Sequence, residues 1–271
     1  MFLSLQNLPR AMAVVLSAVL CLLPLGTQAD HSWGNYHWAR SQNPFTLKLG
    51  DNLSSAWDPY LLTTAKDWST PLVTEPATSD VLNTLIVAGS TRPKLCRASS
   101  GKVEVCNANY GFNGWLGIAQ IWASGSHISQ GVVKMNDSYF NTASYNKPAW
   151  RNLVLCQEVG HTLGLDHQDE DFNNTPLGTC MDYSNDPVPN QHPNQHDYEQ
   201  LALIYSHLDT FTSLAASSAS TPAAPALLGV DLNSQREWGQ LLRSRNGGRT
   251  EVYARDLGRG HKLFTFVIWA W

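Results

Sequence analysis

The sequence predicts an α+β protein with one substantial core and a small β-rich appendage, and three observations carry that reading. Strand-like alternation and helix-like spacing of apolar residues follow one another through the first two hundred or so positions. An Ala-, Ser- and Pro-rich stretch then interrupts the pattern, and the segment after it reads as short strands and turns alone. A length of 271 residues with 43% hydrophobic content suffices for such a core plus an appendage.

Met1 to Arg10 carries one cation, Ala11 to Leu25 is almost wholly apolar, and Thr27-Gln28-Ala29 ends in small residues, so residues 1–29 are expected to be a signal peptide. The apolar run is short for a membrane span. Val19-Leu20 before Cys21 lacks the small residue of a lipoprotein site, so the expectation is a secreted chain with no stable membrane anchor after cleavage. Removing the signal takes away Cys21 and Arg10, leaving four cysteines and a formal charge of −5, which is −4 minus one arginine. An even count suits an oxidising compartment, and four cysteines allow three pairings.

Phe45 to Gly50 alternates as a half-buried strand, and Leu61, Leu62, Ala65 and Trp68 give Trp57 to Trp68 helical spacing, stopped by Ser69-Thr70-Pro71. Leu85 to Ala88 reads as a buried strand and Lys94 to Asn107 as an excursion. Gly111-Phe112-Asn113-Gly114 is turn chemistry. Two strand-like runs follow, Trp115 to Trp122 and Ile128 to Asn136, separated by a Ser-Gly-Ser-His turn. Lys147-Pro148 opens a helix whose Leu153, Val154, Leu155 and Val159 can pack on a sheet. Asp197 and Gln200 stand at capping-box offsets before a helix with Leu201, Leu203, Ile204 and Leu208. Residues 213–229 form the expected linker.

The last segment, 230–271, reads as strands around Trp238 to Ser244, Thr250 to Ala254 and Lys262 to Trp269, with turns at Asn246-Gly247-Gly248 and Gly258-Arg259-Gly260. Its charge differs from that of the body: residues 30–212 hold 10 basic and 18 acidic residues, net −8, whereas 230–271 hold 7 basic and 4 acidic, net +3. Forty residues or so without cysteine make a marginal independent fold, so the tail is expected to dock on the acidic body; a separate adhesion or substrate-binding module is the alternative. No long basic run or basic helix supports nucleic-acid binding.

The chemistry concentrates in Leu155 to Asp169, L-C-Q-E-V-G-H-T-L-G-L-D-H-Q-D. Gln157 and His161 are four apart and share one helix face, with Glu158 turned about 100° beside them. Two such side chains can hold a metal while the carboxylate reaches a water on it. Gly164 follows where a chain leaving a helix needs a left-handed backbone, and His167 comes three residues later. The nearby carboxylates of Asp166, Asp169, Glu170 and Asp171 could bind calcium, although a solvated acidic loop has the same composition.

E-V-G-H-T-L-G-L-D-H is similar to the long zinc-binding consensus of the metzincin metallopeptidases, with Gln157 in place of the first histidine. Thr179-Cys180-Met181-Asp182-Tyr183 resembles the methionine turn of that clan, and its Met-x-Tyr order resembles the astacin and serralysin branches. The resemblance covers residues 30–212 and implies a metzincin-like catalytic domain: twisted sheet, active-site helix, methionine turn and C-terminal helix. It implies that His161 and His167 ligate Zn2+ with Gln157 at the third ligand position, that Glu158 is the general base, and that Tyr183 ligates the resting metal or stabilises the oxyanion. Met181 would underlie the metal. It also brings Cys156 near Cys180, leaving Cys96 to pair with Cys106. The strand Gly117-Ile118-Ala119-Gln120-Ile121-Trp122 would be the sheet edge along which an extended peptide adds; an ordinary interior strand has the same pattern. The function expected is a secreted zinc-dependent endopeptidase acting as a monomer on protein or peptide substrates. An amide oxygen is a weak zinc donor, so the competing expectation is an inactive binding protein of the same fold. A further alternative is that His192 or His196 supplies the missing imidazole.

Overall fold

The computed structural model describes residues 30–69, 81–214, 227 and 230–270. The expected signal peptide, Thr70-Pro71 and most of the expected linker lie outside the described residues. The architecture is α+β: one mixed sheet and four α-helices. In chain order the elements are β1 (His37–Trp38), β2 (Phe45–Asn52), α1 (Asp58–Ser69), β3 (Leu82–Ala88), β4 (Lys102–Ala108), β5 (Trp115–Ser124), β6 (His127–Asn136), α2 (Asp137–Phe140), α3 (Pro148–Thr162), α4 (Gln195–Ile204), β7 (Gln240–Arg245), β8 (Thr250–Gly258) and β9 (His261–Trp269).

The sheet runs β3-β2-β4-β6-β5-β9-β8-β7, with β1 paired to β6 off this path. From β3 to β6 all pairs are parallel; from β6 through β7 all are antiparallel. Side chains alternate across β5 and β9, because successive Cβ atoms leave a strand on opposite faces. Ala119, Ile121, Phe264, Phe266 and Ile268 therefore join the main core with Leu153, Val154 and Val159 of α3. Ile118 and Val267 face the other way and pack with Trp238 and Tyr253 in a second cluster.

The segment from Lys94 to Asn107, expected as an excursion, contains β4, an inner strand between β2 and β6. Cys96 and Cys106 form one disulfide there and Cys156 and Cys180 the other, the two pairings the resemblance implies. The capping box of α4 sits three residues earlier than expected: Asn194 is the N-cap, and Asp197 is its reciprocal partner rather than the cap itself. Asp197 is held in place because it also accepts from Thr179 and His31.

The tail docks on the body, as expected, and β9 corrects the expectation that Gly117 to Trp122 is a sheet edge. The tail is not a separate unit, because β9 pairs with β5 from Trp115↔Trp269 to Ser124↔His261, which makes the tail three further strands of the one sheet. For the same reason Gly117 to Trp122 is not an open edge: β6 takes its hydrogen bonds on one side and β9 on the other. Opposite charge reinforces the docking. Arg243 grips the Asp166 carboxylate with both terminal nitrogens, and Arg243 and Arg245 reach Glu170 at 3.2 and 3.1 Å.

Candidate metal centre

Helix α3 starts at Pro148, whose missing N–H costs nothing at a first helical position. It carries Gln157, Glu158 and His161 into the core, all of them buried. The chain then reverses at Gly164, where φ is +97° and an added Cβ would lie 2.4 Å from the Tyr36 carbonyl oxygen. Only glycine satisfies both conditions, and the turn returns His167 to His161, ring centroids 4.5 Å apart.

His161 donates from Nδ1 to the Leu165 carbonyl oxygen at 2.9 Å, which fixes the tautomer and leaves Nε2 as the lone-pair nitrogen. Burial, and then the neighbouring His167, hold its pKa well below the ordinary imidazole value, so the ring is neutral and suited to a metal. The Gln157 amide donates to the Cys180 carbonyl oxygen at 2.9 Å, while its Oε1 is buried with no hydrogen-bond partner. Glu158 Oε2 and His167 Nε2 are likewise buried and without a hydrogen-bond partner, whereas His167 Nδ1 lies 3.4 Å from Asp166 Oδ1 and 3.5 Å from Glu170 Oε1. Such unpartnered groups are costly in a protein interior, and a bound cation is one way to satisfy them. The donor set, two imidazoles with one amide oxygen and a carboxylate beside them, fits zinc, although the amide oxygen is its weakest member.

Burial pushes the Glu158 carboxyl well above the ordinary range, opposed by a hydrogen bond from the Ala119 backbone N–H. Space for that carboxylate exists because residue 117 is glycine: a Cβ there would meet Val154 at 2.5 Å and Glu158 Oε1 at 2.8 Å. Tyr183 lies against His167 at 4.1 Å between centroids, and burial followed by the Glu158 charge raises its pKa well above 10.0. Met181 is fully buried under α3, where a Cβ on Gly160 would meet its sulfur at 2.5 Å. The Cys156–Cys180 disulfide ties that turn to the helix beside Gln157.

The structure thus brings together Gln157, Glu158, His161, His167, Met181 and Tyr183. It does not bring in the alternative imidazoles: His192 bonds Asp67 at 2.7 Å, and His196 stacks on His31 at 4.7 Å. The acidic residues beside the site have protein partners. Asp166 and Glu170 meet the tail arginines, and Asp169 and Asp171 accept from the backbone N–H of Asp171 and Asn173 at 2.6 and 2.9 Å. Although burial opposes it, hydrogen bonds from His167 and Arg243 hold the Asp166 carboxyl far below its usual range.

Two residues at the site were not anticipated. Phe266 of β9 lies on His161, and Arg243 of β7 holds Asp166, the residue before His167. A signal for Phe266 is present in Leu263 to Ile268, where apolar residues on both alternating faces mark an inner strand. The opposed charges of body and tail pointed to Arg243 only in aggregate. Among known proteins, no family model and no curated protein matches the chain.

Proposed function

We propose that the protein is a secreted zinc-dependent endopeptidase of metzincin type, with His161, His167 and Gln157 Oε1 holding the metal. The observation that carries the reading is the group of buried, unpartnered atoms: Gln157 Oε1, Glu158 Oε2 and His167 Nε2, beside a neutral His161. Zinc, when bound, supplies Lewis acidity that lowers the pKa of a water to near neutrality. Glu158 takes a proton from the attacking water and delivers it to the leaving amine nitrogen. Tyr183 donates its phenolic proton as a hydrogen bond to the developing oxyanion, an interaction whose loss typically slows such reactions about 10²- to 10³-fold. Two disulfides fit an oxidising compartment, and no helix among the described residues is long and apolar enough to cross a membrane.

β9 occupies the β5 edge along which an extended peptide would add, so the intact chain is expected to cleave slowly. That same observation favours the second reading, a non-catalytic protein that keeps the fold. Metal analysis of the full chain, paired with casein cleavage by wild type and Glu158→Ala, separates the two. The enzyme reading expects about one zinc at this site in both proteins and chelator-sensitive cleavage by wild type alone. No zinc at this site under saturating metal overturns it. Zinc without cleavage favours the second reading.

A further inference from the structure

Away from these residues, three imidazoles converge on one carboxylate oxygen. His37 in β1 and His127 at the start of β6 are register partners in the β1–β6 ladder. His207 and Asp209 come from the segment after α4. Asp209 Oδ1 lies 3.2 Å from His127 Nε2, 3.5 Å from His37 Nε2 and 3.9 Å from His207 Nε2, and the His37 and His207 Nε2 atoms are 3.1 Å apart. The His37, His127 and Asp209 donor atoms lie within 4.8 Å of one another.

The surroundings leave these atoms little else to bind. His37 bonds the Asn35 carbonyl oxygen through Nδ1 at 2.7 Å. A carbonyl only accepts, so that nitrogen carries the hydrogen and the neutral ring presents a bare Nε2. Asp209 Oδ2 is taken by Arg40, through its backbone N–H at 3.1 Å and its guanidinium at 3.0 Å. Oδ1 is left to face the imidazoles.

Hydrogen bonding alone accounts for only part of this. His127 can donate to Asp209 Oδ1 and His207 to His37 Nε2, but His37 Nε2 and Asp209 Oδ1 then meet as two acceptors. A cation between them removes that conflict. Metal–nitrogen and metal–oxygen bonds of about 2.0–2.1 Å in a tetrahedron set neighbouring donors about 3.3 Å apart, close to the contacts seen. The Asn35 carbonyl on His37 and the Arg40 guanidinium on Asp209 are the orienting partners such ligands require.

We propose that His37, His127 and Asp209, with His207 as fourth donor, form a second, structural site for a divalent transition metal of the zinc class. Imidazole-rich donors with one carboxylate select zinc, cobalt or nickel over calcium and magnesium. The site shares no residue with the candidate active centre. It would clamp three segments distant in sequence: the entry strand, the β5–β6 hairpin and the chain leaving α4.

Cobalt(II) titration of chelator-treated full-length protein tests this, read by the visible ligand-field band and by thermal melting. The His127 side chain is 26% exposed and that of His207 50% exposed, so His127→Ala and His207→Ala should both fold, with circular dichroism as the check. Wild type is expected to take up one more equivalent of cobalt than His127→Ala, with a melting rise on metal addition that His127→Ala lacks. His207→Ala should weaken the extra site at least tenfold, whereas Glu158→Ala should retain it. Equal stoichiometry and equal metal-induced melting shifts in wild type, His127→Ala and His207→Ala would show a proton-linked hydrogen-bond cluster and overturn the proposal.

Discussion

Phe266 lies flat on His161, ring centroids 4.4 Å and planes 10° apart. The aromatic ring comes from β9, whose Phe266 is the register partner of Ala119 in β5. One strand thus fills the sheet edge and covers the candidate ligand. Phe266→Ala should cost about 3 kcal/mol or more, as large-to-small changes in a core do. It should also speed zinc removal by a small aromatic chelator. Urea melts and the rate of metal loss check the two effects. Slower or unchanged metal loss in a folded variant would separate coverage of His161 from metal access.

On the proposed function, Gln157→His should tighten zinc at the candidate centre at least tenfold and raise cleavage. The Gln157 amide donates to the Cys180 carbonyl oxygen at 2.9 Å, and an imidazole can make that bond from one nitrogen while presenting the other to the metal. Competition with a calibrated chelator gives the affinity. Equal affinity in the two proteins would mean that residue 157 does not face the metal.

The Cys156–Cys180 disulfide spans 24 residues, so on the loop-entropy model replacing both cysteines by serine should lower stability by roughly 3 kcal/mol. Met181 follows Cys180 directly, so zinc affinity should fall with stability. Denaturant titration and metal competition on the double variant measure both.

Glu104 supplies a pH dependence away from the metal residues. Burial opposes its ionisation, but Lys102, Ser90, Ser99 and Asn52 all donate to it and bring its pKa down to about 2 from 4.5. A depressed folded-state pKa means that the ionised carboxylate stabilises the fold fully above about pH 4.5. That contribution, roughly 3 kcal/mol, is lost as pH falls toward 2. Urea melts at pH 5 and pH 2.5 should show a large acid loss in wild type and a smaller one in Glu104→Gln.

Local periodicity and turn chemistry made most elements legible. Phe45 to Gly50, Trp57 to Trp68 and the three tail strands announce themselves by spacing alone, and the structure moves their ends by only a few residues. Gly164 was readable because a helix exit followed by a returning ligand needs positive φ. Pairing was not legible. Trp115 to Trp122 is apolar on both faces, which suits an inner strand as well as a cleft edge, and local pattern holds no record of the partner. The convergence of His37, His127, His207 and Asp209 was hidden for the same reason, since sequence separation conceals side chains that meet only through the sheet.

The β5–β9 ladder also constrains how the chain is made. Its closest-spaced pair, Ser124 and His261, is 261 − 124 = 137 residues apart, so β5 cannot acquire its second neighbour until synthesis has passed the whole intervening chain. Loops of that size must be closed before the contact stabilises anything, which slows folding and places it late. Until Trp269 has emerged, β5 is an apolar, half-paired strand of the kind that chaperones bind and neighbouring copies capture. The sheet is therefore completed only at the end of translation, and the last strands made are the ones that close it over the candidate ligand His161.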